Sequence, residues 1–326
     1  MTQKNLHFLN AFALRLGEMG FISSLICFIG FLGILHFLWY AYKILYTYFS
    51  KPKDLKSKGV KWCLITGASS GVGYELALKV AKQGVNIVAL GRNEERLSKL
   101  EQDIKNNNSN VEFIKISLDF ADYEQTGKLF SELIPQQLNN QKINIDSLFI
   151  CHGGAVLKTF EDFSNEEIEK YNNSFITSNV ILAKDFLNQG GKGITAVSSA
   201  NSFLYSAYVD QYGAVKRWMN RFFNTLKLET SIPIQILNPG VIKNTRFFDD
   251  VPPGMKPIVK PPESSLTPER VADMILSSYG KNFDVDVGID CILYRCVFWL
   301  FPPQIIDFVM SRVGQQFEKG IKAKSE

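Results

Sequence analysis

Hydrophobic and polar positions divide the chain into two regimes that meet near Lys61. Before it, Phe21 to Tyr42 (FISSLICFIGFLGILHFLWYAY) is 22 residues without a formal charge. As a helix this stretch crosses a hydrocarbon core of about 30 Å. It is too long for the apolar part of a signal peptide, and no small-residue cleavage site follows it. The pattern predicts a tail over 1–20 and a transmembrane helix over 21–42. Trp39, Tyr40, Tyr42, Tyr46 and Tyr48 crowd one end, as an interfacial aromatic belt does. Lys4 and Arg15 precede the segment, whereas Lys43, Lys51, Lys53, Lys56, Lys58 and Lys61 follow it, most of them in a basic linker over 43–60. That bias predicts a cytosolic location for everything after residue 43.

From Lys61 onward short apolar runs alternate with amphipathic stretches. Strands are expected at Trp62–Thr66, Asn86–Leu90, Val111–Leu118, Ile145–Cys151, Ile194–Ser198 and Ile234–Leu237, with helices between them. This alternation predicts an α/β fold, a Rossmann-type doubly wound parallel sheet over 61–286. Ser164 with Glu167 makes a capping box for a helix that carries Asn172 and Asn173 into an otherwise apolar stretch. Thr267, Pro268 and Glu269 open another helix. The run KNNNSN from Lys105 to Asn110 reads as a loop insertion. Residues 245–265, with five prolines, are too long for a plain connection and are expected to form a lid. Residues 287–313 are apolar but broken by Asp290, Arg295, Pro302, Pro303 and Asp307, which predicts a membrane-dipping or packed hairpin in place of a clean span. The tail 314–326 ends KAKSE, with Lys322 and Lys324 at dilysine spacing.

Composition adds limits. With 326 residues, 46% hydrophobic and 21% charged, the chain can bury one large domain beside its membrane attachments. The net charge of +4 comes from lysines beside the apolar segment and at the C-terminus, not from a basic stripe interleaved with aromatics, so no nucleic-acid partner is expected. The five cysteines show no zinc spacing, and the reading is reduced cytosolic thiols with no metal.

The candidate chemistry lies in two stretches. In TGASSGVG, following the first strand, Thr66, Gly67, Ser69, Ser70, Gly71, Val72 and Gly73 form a glycine turn that opens a helix, and bare N–H groups there suit a pyrophosphate. The second strand ends at Gly91 and Arg92; an acid there would bind a ribose 2′-hydroxyl, whereas arginine suits a 2′-phosphate, so NADP(H) is expected over NAD(H). Otherwise Arg92 is a solvated loop charge. Asp119 reads equally as a contact to the adenine end or as a capping aspartate. In the second stretch, Ser198 to Lys216, Ser199 lies thirteen residues before Tyr212 and Lys216 four after it. A helix starting near Tyr212 puts phenol and ammonium one turn apart, and the ammonium is expected to lower the phenol pKa.

TGASSGVG, Asn173, Ser199, and Tyr212 with Lys216 are similar to the motifs of the short-chain dehydrogenase/reductases, over roughly Lys61 to Met274. The resemblance implies an oxidoreductase in which Tyr212 protonates a carbonyl oxygen while NADPH gives hydride to the carbon. Lys216 then holds the nicotinamide ribose, Ser199 orients the carbonyl and Asn173 holds a relay water. It also implies cofactor contacts at Gly153, Pro239 and Gly240, and helices flanking the site that pair in a homodimer. Where that family has Asn-Asn-Ala-Gly, this chain has Ile150, Cys151, His152 and Gly153. His152 could be a base, but with Tyr212 already supported it reads as a bystander in the cofactor wall.

SKPKDL, GRNEERL, CHGGAVLKTFEDFS, LTPERVADMI and KNFDVDVGID further resemble the 3-ketodihydrosphingosine reductases. That resemblance implies a long-chain keto-amine as substrate, a lipid bilayer as partner, and residence in the endoplasmic reticulum membrane with the catalytic domain facing the cytosol. The nearest rival is the very-long-chain 3-oxoacyl-CoA reductases, whose substrate wants a basic groove, whereas the expected lid offers Asp249 and Asp250 for an ammonium. Another membrane-bound lipid or steroid ketone reductase, and an inactive reductase fold serving as a binding protein, are the remaining alternatives.

Overall fold

The computed structural model describes residues 3–107, 110–138, 142–248 and 261–322. The chain divides into two compact units, Met1–Tyr46 and Thr47–Glu326. The first consists of most of helix α1 (Gln3–Phe49), which runs seven residues beyond the expected end at Tyr42. The stretch KILYTYF continues the apolar helical pattern, and the chain leaves the helix only as Pro52 approaches, where the preceding residue is driven out of helical conformation. Within it Gly20–Phe49 is long and apolar enough to cross a membrane, and Phe21, Ile26 and Ile29 expose more than half their surface.

In the second unit the basic stretch expected as a linker is fastened down. Leu55 is fully buried. Its N–H donates to Gln83 Oε1 at 2.8 Å, Gln83 Nε2 donates to the Lys53 carbonyl at 3.0 Å, and Lys53 N–H reaches the Leu276 carbonyl at 3.1 Å.

The strands are β1 (Trp62–Thr66), β2 (Asn86–Gly91), β3 (Phe113–Ser117), β4 (Ser147–Ile150), β5 (Gly193–Val197), β6 (Ile234–Pro239) and β7 (Asp284–Val287). They form one parallel sheet in the order β3-β2-β1-β4-β5-β6-β7. The strand order reverses between β1 and β4, so a crevice opens there at the C-terminal edge, where open α/β sheets bind ligands. The helices are α2 (Gly71–Lys82), α3 (Glu94–Asn107), α4 (Tyr123–Gly127), α5 (Ile134–Gln137), α6 (Asn165–Asn172), α7 (Ser178–Asn188), α8 (Asp210–Leu226), α9 (Pro268–Ser277), α10 (Ile289–Leu300) and α11 (Pro303–Lys322). One face of the sheet presents Leu64, Val88, Leu148 and Ile236 to Phe186, Met219 and Phe223 of α7 and α8. The expected caps are present: Ser164 and Glu167 form a reciprocal capping box for α6, and the Thr267 hydroxyl accepts from Arg270 N–H at the start of α9.

The seventh strand was not among the expected ones: it is only four residues long and two of them are aspartates, which strands disfavour. The fold satisfies both acids. Asn238 Nδ2 donates to Asp284 at 2.7 Å and to Asp286 at 3.0 Å, and Arg295 of α10 holds Asp286 with two bonds of 2.7 and 2.9 Å. The apolar C-terminal segment is therefore partly sheet, then two helices separated at Phe301 and Pro302. Cys291 of α10 is buried in a cluster with Ala200 and Phe203, whereas Leu293, Leu300, Phe301, Ile305, Phe308 and Val309 are exposed.

Asp146 fixes where the sheet begins. Its carboxylate accepts from Lys61 N–H (2.7 Å) and Trp62 N–H (3.1 Å), and Lys192 Nζ lies 2.7 Å away. Burial would raise its pKa, but Lys192 and the two N–H groups together lower it below the ordinary carboxylate value. The resulting stability is present at neutral pH and is lost as pH falls through that lowered pKa. Asp146→Ala strands both N–H groups and is expected to cost about 2–3 kcal/mol, seen as a lower thermal-unfolding midpoint of the detergent-solubilised protein at pH 7, with the difference from wild type shrinking in acid.

Candidate active site

The crevice edge is built by a turn that only glycine can make. Gly67 has φ of +66°, and a Cβ on it would lie 2.8 Å from His152 Cα; a Cβ on Gly73 would lie 2.5 Å from the Gly67 carbonyl oxygen. The α2 N-terminus therefore folds back tightly on β1. Ser70 at its N-cap makes no side-chain cap, so the first N–H groups of α2 keep their donors for a ligand. This cradle fits the phosphates of a dinucleotide. Ser69, Ser70, Gly71 and Val72 lie along it, and Arg92 stands exposed just past β2. Asp119 is also exposed after β3, but its carboxylate accepts from Ala121 N–H at 3.1 Å and so shapes its own turn. Thr66 faces inward: its hydroxyl accepts from Cys151 N–H (3.0 Å) and His152 N–H (3.2 Å).

At the ends of β5 and β6 the catalytic candidates converge. Ser199 leaves β5 in extended conformation, its hydroxyl accepting from Asn201 N–H at 3.2 Å, and it stands near enough to the Tyr212 phenol to lower that group's pKa. Tyr212 lies one turn before Lys216 on α8, with Lys216 Nζ 5.8 Å from its ring centre. Lys216 is 3% exposed and donates to the Val197 carbonyl at 2.8 Å, taking up one of its three ammonium protons. A Cβ on Gly153 would lie 3.5 Å from that ammonium, so Gly153 lines the same spot. Pro239 ends β6, Gly240 N–H bonds the Val287 carbonyl at 2.8 Å, and Asp290 accepts from Val241 N–H at 2.6 Å, which fixes the loop beside them.

The electrostatics differ from the expectation drawn from the Tyr212/Lys216 spacing. The Tyr212 pKa is raised, because burial outweighs the Ser199 hydrogen bond that lowers it. Lys216 responds to the same burial and is pushed down to about 8.

Among the described residues Asn173 makes no side-chain hydrogen bond to this group. It begins a turn of π-helix, Asn173–Thr177, accepts from the Thr177 hydroxyl at 3.3 Å, and lines a hollow of about 330 Å³ with Asp122, Tyr123, Glu166 and Lys170. Phe175 of the same turn packs with the cluster of Tyr171, Tyr212 and Val215. Sequence reasoning passed over Tyr171, whose hydroxyl donates to the Gly154 carbonyl at 2.6 Å, and Phe247, whose ring meets Tyr212 edge-on at 5.4 Å. For Tyr171 no local signal exists; for Phe247 the pair Phe247 and Phe248 before Asp249 was the one available hint. Phe247 brings the described start of the expected lid onto Tyr212, while Asp249 and Asp250 lie outside the described residues.

Lys216 carries a free-energy cost in the cofactor-free protein. Its drop from 10.5 to about 8 corresponds to roughly 3 kcal/mol at pH 7. The cost is full below the folded pKa and fades as pH rises from about 8 towards 10.5, where the unfolded chain alone holds the extra proton. Lys216→Met, which loses the Val197 bond as well, is expected to unfold about 1–2 kcal/mol later than wild type at pH 7 without cofactor, an advantage that vanishes near pH 10. Thermal unfolding across that pH range checks it, and a destabilised variant at pH 7 contradicts it.

Comparison with known proteins agrees with this architecture. The family model described as short chain dehydrogenase matches residues 61–255. The 7beta-hydroxysteroid dehydrogenase of Mediterraneibacter gnavus is 26% identical over 247 residues, covering 72% of this chain and 88% of that protein. The 3-ketodihydrosphingosine reductase TSC10 of Debaryomyces hansenii is 24% identical over 285 residues, covering 78% of this chain and 85% of its own length. Among solved structures, L-sorbose reductase from Gluconobacter frateurii, complexed with NADPH and L-sorbose, superposes with a TM-score of 0.57 at 23% identity, covering 68% of this chain and 90% of that one. A glycine turn at the sheet's switch point, a serine, tyrosine and lysine gathered at the strand ends, and a family match across more than half of the chain place this protein in the short-chain dehydrogenase family of oxidoreductases.

Proposed function

We propose that the protein is an NADPH-dependent reductase of the 3-keto group of 3-ketodihydrosphingosine, acting at the endoplasmic reticulum membrane with its catalytic unit in the cytosol. The observation that carries the reaction is the buried Ser199, Tyr212 and Lys216 group. Burial holds Tyr212 in its phenol form at neutral pH, the form that donates a proton to a carbonyl oxygen. NADPH, when bound, supplies the hydride that the carbonyl carbon takes up. Ser199 donates to the carbonyl oxygen and orients it; Lys216, cationic below about pH 8, favours the negative charge left on Tyr212. The uncapped α2 N-terminus would hold the pyrophosphate and Arg92 a 2′-phosphate, a preference in line with the NADPH bound to the sorbose reductase.

The substrate class rests on different observations. The site wall is aromatic and apolar, with Phe175, Ile176, Val209 and Phe247 around Tyr212. Next to it α10 packs Phe298 against Phe203 and Tyr205 while turning Leu293, Trp299 and Leu300 outward, as a surface that dips into a bilayer would. The candidate span Gly20–Phe49 and the lysines after it supply an anchor with a cytosolic bias. The 3-ketodihydrosphingosine reductase of Debaryomyces hansenii aligns over 78% of this chain. Of the dilysine-like ending, Lys324 lies outside the described residues.

Tyr212→Phe is expected to lower kcat by about 10³-fold or more while leaving NADPH affinity within about threefold, since only the proton donor is lost. Single-turnover NADPH oxidation and fluorescence titration read the two quantities; wild-type-like turnover would sink the mechanism. Membranes containing the protein, given NADPH, are expected to consume 3-ketosphinganine in preference to a long-chain 3-oxoacyl-CoA. The reverse preference removes the substrate assignment and leaves the reaction standing.

A further inference from the structure

His152 occupies a position no catalytic role requires, yet both of its ring nitrogens are hydrogen-bonded. It is 7% exposed, between the glycine turn and the π-helical turn. Its Nε2 lies 2.9 Å from the Ser174 carbonyl oxygen, and its Nδ1 lies 2.8 Å from the Thr66 hydroxyl. The ring is stacked on Phe120 at 4.0 Å and 9°, and Phe175 lies on it at 5.6 Å and 15°.

These contacts fix the proton. A carbonyl oxygen only accepts, so Nε2 carries the hydrogen and Nδ1 is bare. The bare Nδ1 must then receive the Thr66 hydroxyl hydrogen. That leaves the two lone pairs of Thr66 for the N–H groups of Cys151 and His152, at 3.0 and 3.2 Å. Every donor and acceptor in the cluster is matched once, and no other tautomer matches them. Burial agrees, pushing the imidazole down to about 3, with the Lys216 and Arg92 cations acting in the same direction.

We propose that His152 is a positioning residue: as a neutral imidazole protonated on Nε2, it clamps the π-helical turn at Ser174 and Phe175 to the strand end at Thr66, and thereby sets the wall against which Tyr212 presents its phenol. Phe175 follows Ser174 directly, lies 4.7 Å from the Tyr171 ring and packs against the cluster that holds Tyr212, so a shift of the clamped carbonyl moves the wall of the site. Thr66 precedes Gly67, so the same clamp reaches the cofactor turn. The proposal rests on the assignment of Tyr212 as the proton donor, but not on the identity of the ketone.

The test has two arms. In the full-length wild type labelled with ¹⁵N-histidine, one of the three histidines is expected to show a protonated Nε2 and a bare Nδ1 at neutral pH, and His152→Phe removes that signal. A protonated Nδ1 overturns the proposal, and this arm needs neither turnover nor a substrate. In the second arm, His152→Phe keeps the ring stack and loses both hydrogen bonds; kcat is expected to fall roughly ten- to hundredfold, with the KM for the ketone nearly unchanged. Gln, whose amide nitrogen reaches about as far as Nε2, is expected to recover more of kcat than Asn, which reaches only as far as Nδ1. Wild-type kcat in His152→Phe, or a Gln variant no better than Phe, overturns the proposal. Should the variants not fold, the tautomer measurement on wild type still decides it.

Discussion

The site depends on keeping the Lys216 ammonium out of water beside the Val197 carbonyl. Burial at that point weakens the ammonium's hold on its proton and raises the phenol pKa of Tyr212. Both effects come from one low-dielectric pocket, made by the ends of β4 and β5, α8 and the aromatic wall. In the proposed reaction such a pocket would favour proton donation by Tyr212, because a charge appearing on the phenol would find Lys216 and Ser199 beside it. The stability given up for Lys216 in the cofactor-free protein is the usual trade at such centres.

Around that point the fold is arranged as rigid edges. The glycine turn sets β1 against α2 so closely that neither Gly67 nor Gly73 tolerates a Cβ. Asp146 pins the start of β1, Asp290 pins the loop after β6, and the carboxylates of β7 are closed off by Asn238 and Arg295. Each is a buried or half-buried acid that accepts hydrogen bonds from the chain around it, which lessens the liability of a charge inside a protein. Arg295 also lies over the Phe203 ring at 3.5 Å, so the same residue that completes the seventh strand braces the loop after Ser199. The C-terminal helices are thus tied to the active-site edge on their inner side while presenting apolar residues outward.

Much of the architecture was legible in the chain. The six strands from β1 to β6, the glycine turn, the capping box at Ser164, the cap at Thr267 and the tyrosine-lysine spacing are local patterns whose periods and donors are fixed by backbone geometry, and they occur where the pattern put them to within a few residues. β7 was not legible, because its aspartates are made acceptable by partners on β6, α8 and α10 that no local window contains. The extension of α1 past Tyr42 shows the converse: its apolar pattern persists, and the stop is set by Pro52.

The functional residues divide in the same way. Ser199, Tyr212 and Lys216 share a strand end and one helix face, so chain order alone brought them together. Asn173 and His152 turned on geometry the chain does not announce. Asn173 begins a turn of π-helix and bonds Thr177 while Phe175 packs into the aromatic cluster, and His152 gains its bonds from Thr66 and Ser174, 86 and 22 residues away. Sequence by itself determined the fold class, the resemblance to an oxidoreductase family and an apolar N-terminal segment long enough to span a membrane, because those rest on period, spacing and motif. Tertiary structure alone decided which side chains reach the pocket and in which protonation state, because burial and hydrogen-bond partners belong to the packed molecule and not to any stretch of its sequence.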